Sequence, residues 1–340
     1  MKLLIIRLSA MGDVAMSVSV LSALSAQHAE HNIYLITNKL YNSFFLNIPN
    51  LTILNPDLKG KHKGLKGLYF FYKELKKEIN PDIFVDIHDI LRTKIIRFFF
   101  KLDGVKTVKI DKGRKEKKKL TRKKNKLLKP LKHTTERYVD TFLKANILIR
   151  IQPRTITELS INTLETSNLL QGSEKKIGIA PFARHIQKQY PIKKTEELIQ
   201  NLVKDNYKVF LFGGGKKEKQ IAEKIAEKIP NVISLIGKFS LSEEIAFIDK
   251  LDVMITPDSG NMHIAALTSV KIISIWGATH PYAGFTPNVP EANLYIIQNN
   301  KIACRPCSIF GNKRCYKNTL ECLTSIKPEE IFQVCKRITG

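Results

Sequence analysis

"ITPDSGNMHIAALTSVKIISIWGATHP", residues 255–281, is a β-branched run that stops at a Pro-Asp-Ser-Gly turn, passes through a short small-residue segment holding His263, and enters a second apolar run ending at Gly277. Strand, turn, helix start and second strand in that order make a βαβ unit of a parallel sheet. The same alternation runs outward in both directions. Upstream lie "KIGIAPF", "KVFLFGGG" and "VISLIG"; at the start of the chain lie "LLIIRL", "NIYLIT", "LTIL" and "DIFVDIH", separated by helix-length segments such as 14–27 and 65–79. Between the two series, residues 151–172 are rich in Thr, Ser and Asn and close on Gly172, which places an inter-domain linker there. The fold class is therefore α/β, with two parallel-sheet halves, and a ligand cleft is expected where their strand ends face each other. "KPEEIFQVCKRI" reads as a terminal helix with Pro328 in its first turn.

A chain of 340 residues that is 43% hydrophobic can bury two ordinary cores, so disorder is excluded as the default. The formal net charge of +25 favours negatively charged partners: nucleic acid, anionic lipid or phosphorylated small molecules. Much of it sits in "DKGRKEKKKLTRKKNKLLKPLKH", 111–133, where twelve Lys or Arg stand against Asp111 and Glu116. That run reads either as a solvated loop or as an electrostatic landing strip for a phosphorylated acceptor or an anionic leaflet. It has no aromatic residues for stacking bases, and no nucleic-acid partner is expected. The N-terminus has an early Lys2 and an apolar run, but Arg7 and Asp13 interrupt what would be a signal-peptide core; "MGD" reads as a turn and "VAMSVSVLSAL" as a helix. With no run of about 18–20 uncharged apolar residues, a cytoplasmic location is expected, compatible with work at the inner-membrane surface.

Several strand ends carry chemistry. A helix beginning near Gly260 would offer the amides of Asn261, Met262 and His263 to an anion, with Asp258 better suited to sugar hydroxyls. Against this stands simple capping by Asp258 or Ser259, worth about 1 kcal/mol. Asp13 is likewise either a helix cap or a carboxylate able to take a proton from a hydroxyl, with Ser9 and Gly12 beside it. Arg184, His185 and Lys188 put positive charge past a strand end, as a diphosphate leaving group requires. "FGGGKKEK" lacks the spacing of a P-loop and fails G-x-G-x-x-G, because Lys occupies the third Gly position.

Taken together, "MGDV" (11–14), the central "R…KQYP" (184–191), "GGG" with Glu218, "DSGNMHIAA" (258–266) and "WGATHP" (276–281) resemble glycosyltransferase family 9, the lipopolysaccharide heptosyltransferases and their relatives, over essentially the whole chain. The resemblance implies a GT-B fold, two Rossmann-like domains facing across a cleft: an N-terminal acceptor domain over 1–168, a C-terminal donor domain over 173–325, and a helix over 326–340 returning toward the first. It also implies inverting, metal-independent transfer of a sugar, typically heptose from ADP-heptose, to a lipopolysaccharide core or other cell-envelope glycolipid, with no cofactor. On this analogy Asp13 is the general base, with Ser9, Gly12, His88 and Arg92 toward the acceptor. Arg184, Lys188, Glu218, Asp258, Ser259, Gly260, Asn261, Met262 and His263 line the donor side: Lys188 neutralises the diphosphate and Glu218 holds ribose hydroxyls. The chain departs from the family at Phe182 and Ala183, where Thr or Ser often precedes the Arg. It has an extra residue between Arg184 and Lys188, Tyr190 where Trp is common, and His280 where Asp is usual. Those departures motivate an alternative, a sugar-nucleotide or anionic-glycan binding protein of weak catalysis; a nucleic-acid-binding protein is the more distant one.

Five cysteines remain. Cys304, Cys307, Cys315 and Cys322 form a cluster in sequence that reads either as plain thiols or as a structural zinc site, and the second pair lacks the x-x spacing of the first.

Overall fold

The structure is a computed structural model that describes residues 1–152, 156 and 168–340. The chain divides into two compact units, Met1–Gly113 with Lys132–Arg154, and Arg114–Leu131 with Thr155–Gly340. Most of the linker expected over 151–172 lies outside the described residues. Two features differ from the division expected at 168 and 173. The basic residues 114–131 group with the second unit, and the terminal helix packs there as well.

In the first unit β1 (Lys2–Ile6), β2 (Asn32–Ile36), β3 (Leu51–Leu54), β4 (Ile83–Asp86) and β5 (Lys106–Lys109) form a parallel sheet of order β3-β2-β1-β4-β5. Its central strands carry uninterrupted apolar runs because both faces are covered. Helices α2 (Gly64–Glu78) and α3 (Leu91–Leu102) pack together, and Leu68, Phe71, Ile96 and Phe100 of these helices share a core with Leu4, Ile6 and Phe84. Helices α1 (Met11–Gln27) and α5 (Thr134–Leu143) form another pair. Helix α1 is buried nearly all round from Val14 to Leu21, which explains why its sequence looks like a signal core: an all-apolar helix in a large domain is an interior helix. It begins at Met11, so "MGD" is its first turn rather than a turn before it, and Asp13 faces the amide end of the helix. In sequence, α4 (Arg114–Thr121) precedes α5 and belongs to the second unit.

The second unit has β6 (Lys176–Ile179), β7 (Lys208–Leu211), β8 (Val232–Ser234), β9 (Val253–Pro257), β10 (Lys271–Trp276) and β11 (Leu294–Gln298) in parallel, in the order β11-β10-β9-β6-β7-β8. Its described helices include, besides α4, α6 (Ile192–Lys204), α7 (Lys216–Lys228), α8 (Leu241–Ile248), the six-residue α9 (Gly260–Ala265), α10 (Glu321–Thr324) and α11 (Pro328–Thr339). Helix α11 lies on α6, β9 and β10, with Ile331 and Cys335 fully buried in that core.

Both sheets reverse strand order once, between β1 and β4 in the first and between β6 and β9 in the second. Open α/β sheets leave a crevice at the carboxyl end of such a switch point. Asp13 and His88 follow β1 and β4; Lys188 and Asp258 follow β6 and β9.

Candidate active site

At the first switch point Arg7, closing β1, is almost fully buried and reaches in two directions. One terminal nitrogen lies 2.6 Å from Asp13 Oδ2, and the other donates to the Ile87 carbonyl at 2.8 Å. The Asp13 side chain is 29% exposed, and Oδ1 meets no protein donor among the described residues. A carboxylate fixed through one oxygen and open through the other can accept a proton from a hydroxyl in its path. Tyr138 of α5 donates to the Asp13 carbonyl at 3.1 Å, tying the first turn of α1 to the unit.

His88 is buried, and its Nδ1 accepts from the Leu8 amide at 3.3 Å, so Nε2 carries the ring proton and can only donate. Burial, with Arg7 and Lys112 nearby, pushes His88 down to about 3, which keeps the ring neutral at working pH. The turn carrying it is built by Asp86: Oδ1 accepts from the amides of His88 at 2.9 Å and Asp89 at 2.6 Å, and Oδ2 pairs with Arg97 at 2.5 Å. Burial raises Asp86 above the usual carboxylate range, against those donors. Arg92 stands exposed in the first turn of α3 with no protein partner among the described residues, and Ser9 is exposed beside Gly12.

At the second switch point Lys188 Nζ lies 3.0 Å from Asp258 Oδ2, both largely buried. Ser259 occupies the N-cap of α9 but does not cap it; its hydroxyl instead bonds Thr256 Oγ1 at 3.1 Å. Simple capping therefore does not account for the Asp-Ser pair. Helix α9 is less than two turns long, so free amides rather than a sizeable dipole are what Gly260 and Asn261 present. The Met262 side chain is fully buried and can offer only its backbone; His263 is buried as well. Arg184 is exposed, and His185 is held below its usual value by burial with Arg184 and Lys188 beside it. Two strands along the same edge from β9, Glu218 Oε2 accepts from the Gly214 amide at 2.7 Å. A Cβ on Gly213 would come within 2.8 Å of that same carboxylate oxygen and of Phe182, so only glycine lets Glu218 fold back over the turn. One Glu218 oxygen is thus committed to the loop.

Two of the residues that depart from the family pattern, Tyr190 and His280, are buried and bonded to the backbone. Tyr190 is buried and donates to the Ile326 carbonyl at 3.0 Å. His280 accepts from the Tyr282 amide at 3.1 Å, and burial beside Arg305 and Lys126 pushes it down to about 4. Arg305 is buried too and staples the 277–279 loop through the carbonyls of Gly277 (2.5 Å) and Thr279 (3.1 Å) while bonding the Asn299 carbonyl at 3.0 Å.

The basic run is only partly a loop. Residues 114–121 form α4, and Lys126 Nζ donates to the carbonyls of Cys304 (2.6 Å) and Arg305 (2.9 Å). Lys123 sits 5.0 Å from the Tyr316 ring centre, within cation–π range. Together Arg122, Lys123, Lys126, Lys313 and Arg314 line a cavity of about 210 Å³, and among the described residues none of the five pairs with a carboxylate. The cysteines are all free thiols; Cys304, Cys307 and Cys315 are partly buried, Cys322 and Cys335 fully. Burial pushes Cys322 up to about 11, the direction of a neutral thiol. The cysteine sulfurs do not gather into a ligand set: among the described residues, the one group of three metal-type donor atoms within 4.8 Å of each other is elsewhere, at His28, Glu30 and His31.

Arg7, Asp86, Arg97 and Arg305 do site work that the sequence reading left out. Arg7 carried a signal, since a charged side chain closing a buried strand needs a partner; it served there only against a leader peptide.

Two Rossmann-like units of parallel sheet, each with an ion pair at its switch point, give the chain the GT-B type of fold. The description Glycosyltransferase family 9 (heptosyltransferase) matches residues 71–314, well over half of the chain, and the chain belongs to that family. It is 25% identical to lipopolysaccharide heptosyltransferase 1 of Campylobacter coli, over 100% of this chain and 99% of that one. Among solved structures, a family 9 glycosyltransferase from Veillonella parvula superposes with a TM-score of 0.76 at 18% identity, over 99% of this chain and 97% of that chain. The Escherichia coli heptosyltransferase WaaC with ADP gives 0.67 at 17%, over 99% and 100%.

Proposed function

We propose that the chain moves a heptose or closely related sugar from ADP-heptose to a lipopolysaccharide core or similar envelope glycolipid, with inversion and without a metal at the transfer site. The observation that carries the reading is Asp13, held by Arg7 through Oδ2 with Oδ1 open. As general base Asp13 takes the proton of the acceptor hydroxyl as its oxygen attacks the anomeric carbon from the face opposite the diphosphate. Nucleoside diphosphate leaves, and its developing charge meets Lys188 and the first amides of α9. Lys188 rests on Asp258 until then, a compact ammonium on a flexible stem that can turn to phosphate. The ADP in the WaaC structure and the name of the C. coli relative support the donor and acceptor classes.

On the acceptor side the neutral His88 donates from Nε2 and the exposed Arg92 meets phosphate or carboxylate. The carboxylate-free cavity of Arg122, Lys123, Lys126, Lys313 and Arg314 suits a second phosphate of the acceptor or the anionic leaflet from which it is drawn. No helix among the described residues is long and apolar enough to cross a membrane, so such contact would be peripheral.

The test is a transfer assay with ADP-β-heptose and a phosphorylated core acceptor, run in EDTA. An α-linked product formed at an undiminished rate supports inversion without metal; retention of the β configuration, or activity that returns only with a divalent ion, rejects it.

A further inference from the structure

We propose that His28, Glu30 and His31 form a binding site for a divalent transition-metal ion of the zinc class, at the carboxyl end of α1. His28 Nδ1 lies 3.6 Å and His31 Nδ1 lies 3.1 Å from Glu30 Oε1, and one donor atom from each of the three falls within 4.8 Å of the others. A tetrahedral ion with bonds of about 2.0–2.1 Å holds its donors about 3.3 Å apart, so the set needs little movement to close.

The donors are oriented from outside. His28 Nε2 contacts the Leu148 carbonyl at 2.8 Å, and a carbonyl only accepts; the proton is therefore on Nε2, and Nδ1 keeps its lone pair for the ion. A ligating imidazole secured through its other nitrogen in this way is the usual second layer of a metal site. His31 is 7% exposed, and its Nδ1 has no aligned hydrogen-bond partner although the Glu30 carboxylate is 3.1 Å away. Close approach without alignment is what two donors show when both aim at a third point.

The backbone is fixed as well. The His31 amide donates to the His28 carbonyl at 3.0 Å, Asn50 donates to the Ala29 carbonyl at 2.8 Å, and the Gln27 amide side chain clasps both backbone groups of Arg150 at 2.6 and 2.9 Å. Two imidazoles and a carboxylate suit zinc, cobalt(II) or nickel(II) rather than magnesium or calcium, and the exposed Glu30 leaves the fourth position to water. His28 is fifteen residues beyond Asp13 on the same helix, about 22 Å at 1.5 Å per residue, so this ion takes no part in sugar transfer.

The experiment is titration of the untagged full-length chain, stripped with EDTA and dialysed, with cobalt(II) followed by its visible absorption. One ion per chain is expected, displaced by zinc. His28→Gln and Glu30→Gln, both at positions outside the core, should each weaken binding at least tenfold, while Cys304→Ser with Cys307→Ser leaves it unchanged. Binding that survives in both the His28 and Glu30 variants, a thiolate charge-transfer band lost with the cysteines, or no saturation below millimolar cobalt would each overturn the assignment.

Discussion

The two switch points use the same device, a cation against a carboxylate, with the exposure reversed. At the first, the cation is the buried one: Arg7 is 7% exposed and Asp13 29%. At the second, the carboxylate is the more deeply buried member, Asp258 at 8% against Lys188 at 16%. Arginine is a rigid fork, and here its second nitrogen is spent on the Ile87 carbonyl, so it cannot leave Asp13. Lysine is a point charge on four methylenes and can exchange Asp258 for an incoming phosphate. On the proposed function, the first edge would then display a fixed acid–base group and the second would hold a cation in reserve for the diphosphate.

That contrast is most sharply tested at Asp13. Asp13→Asn keeps the volume and most of the packing but removes the base. Turnover is expected to fall by about 10²–10⁴-fold with the circular dichroism spectrum and ADP affinity retained; a loss under tenfold would remove Asp13 from the proton path. Next in size, Lys188→Ala should weaken ADP binding by about 1.5–3 kcal/mol, roughly ten- to a hundredfold, because the interaction is with a charged group. Some stability will be lost too, since Asp258 is left buried without its partner.

The third test concerns stability against pH and reads the first edge through His88. His88 titrates near 3 when folded and near 6.5 when free. Between those values the unfolded chain takes up a proton that the folded chain refuses, so this contribution to stability is present above about 6.5 and is lost as pH falls toward 3. Melting temperatures of the wild type and His88→Asn at pH 7 and pH 4.5 check this: the variant should lose less on the descent, and an equal loss would mean that the ring is not excluded from protonation.

The parallel sheets were legible because buried parallel strands write themselves as continuous apolar runs ending in Gly, Pro or Asp. Strands β5, "KTVK", and β11, "LYIIQ", were not: β5 has only Thr and Val between two Lys, and β11 is half-exposed with no Gly, Pro or Asp directly closing it, although the edge strands β3 and β8 were legible. The start of α1 was misplaced by one turn: Gly12 and Asp13 look like turn residues, and only the packing of the helix shows that they belong to it. Candidate residues at strand ends could be named from the motif, but which carboxylate is open and which is paired depends on partners far away in sequence. Arg7 with Asp13 is a local pair; Lys188 with Asp258 spans seventy residues, and no spacing rule announces it. The basic run misled for a similar reason. Its charge reads as solvated loop, while Leu120 is fully buried and Lys126 bonds to carbonyls nearly 180 residues away.

The division of labour between the two edges is tested most directly by calorimetric titration of ADP, in EDTA, into the wild type, Asp13→Ala and Lys188→Ala. If the first edge serves chemistry and the second the leaving group, ADP affinity is unchanged in Asp13→Ala and at least tenfold weaker in Lys188→Ala. Equal affinity in all three, or weakening in Asp13→Ala alone, would contradict it.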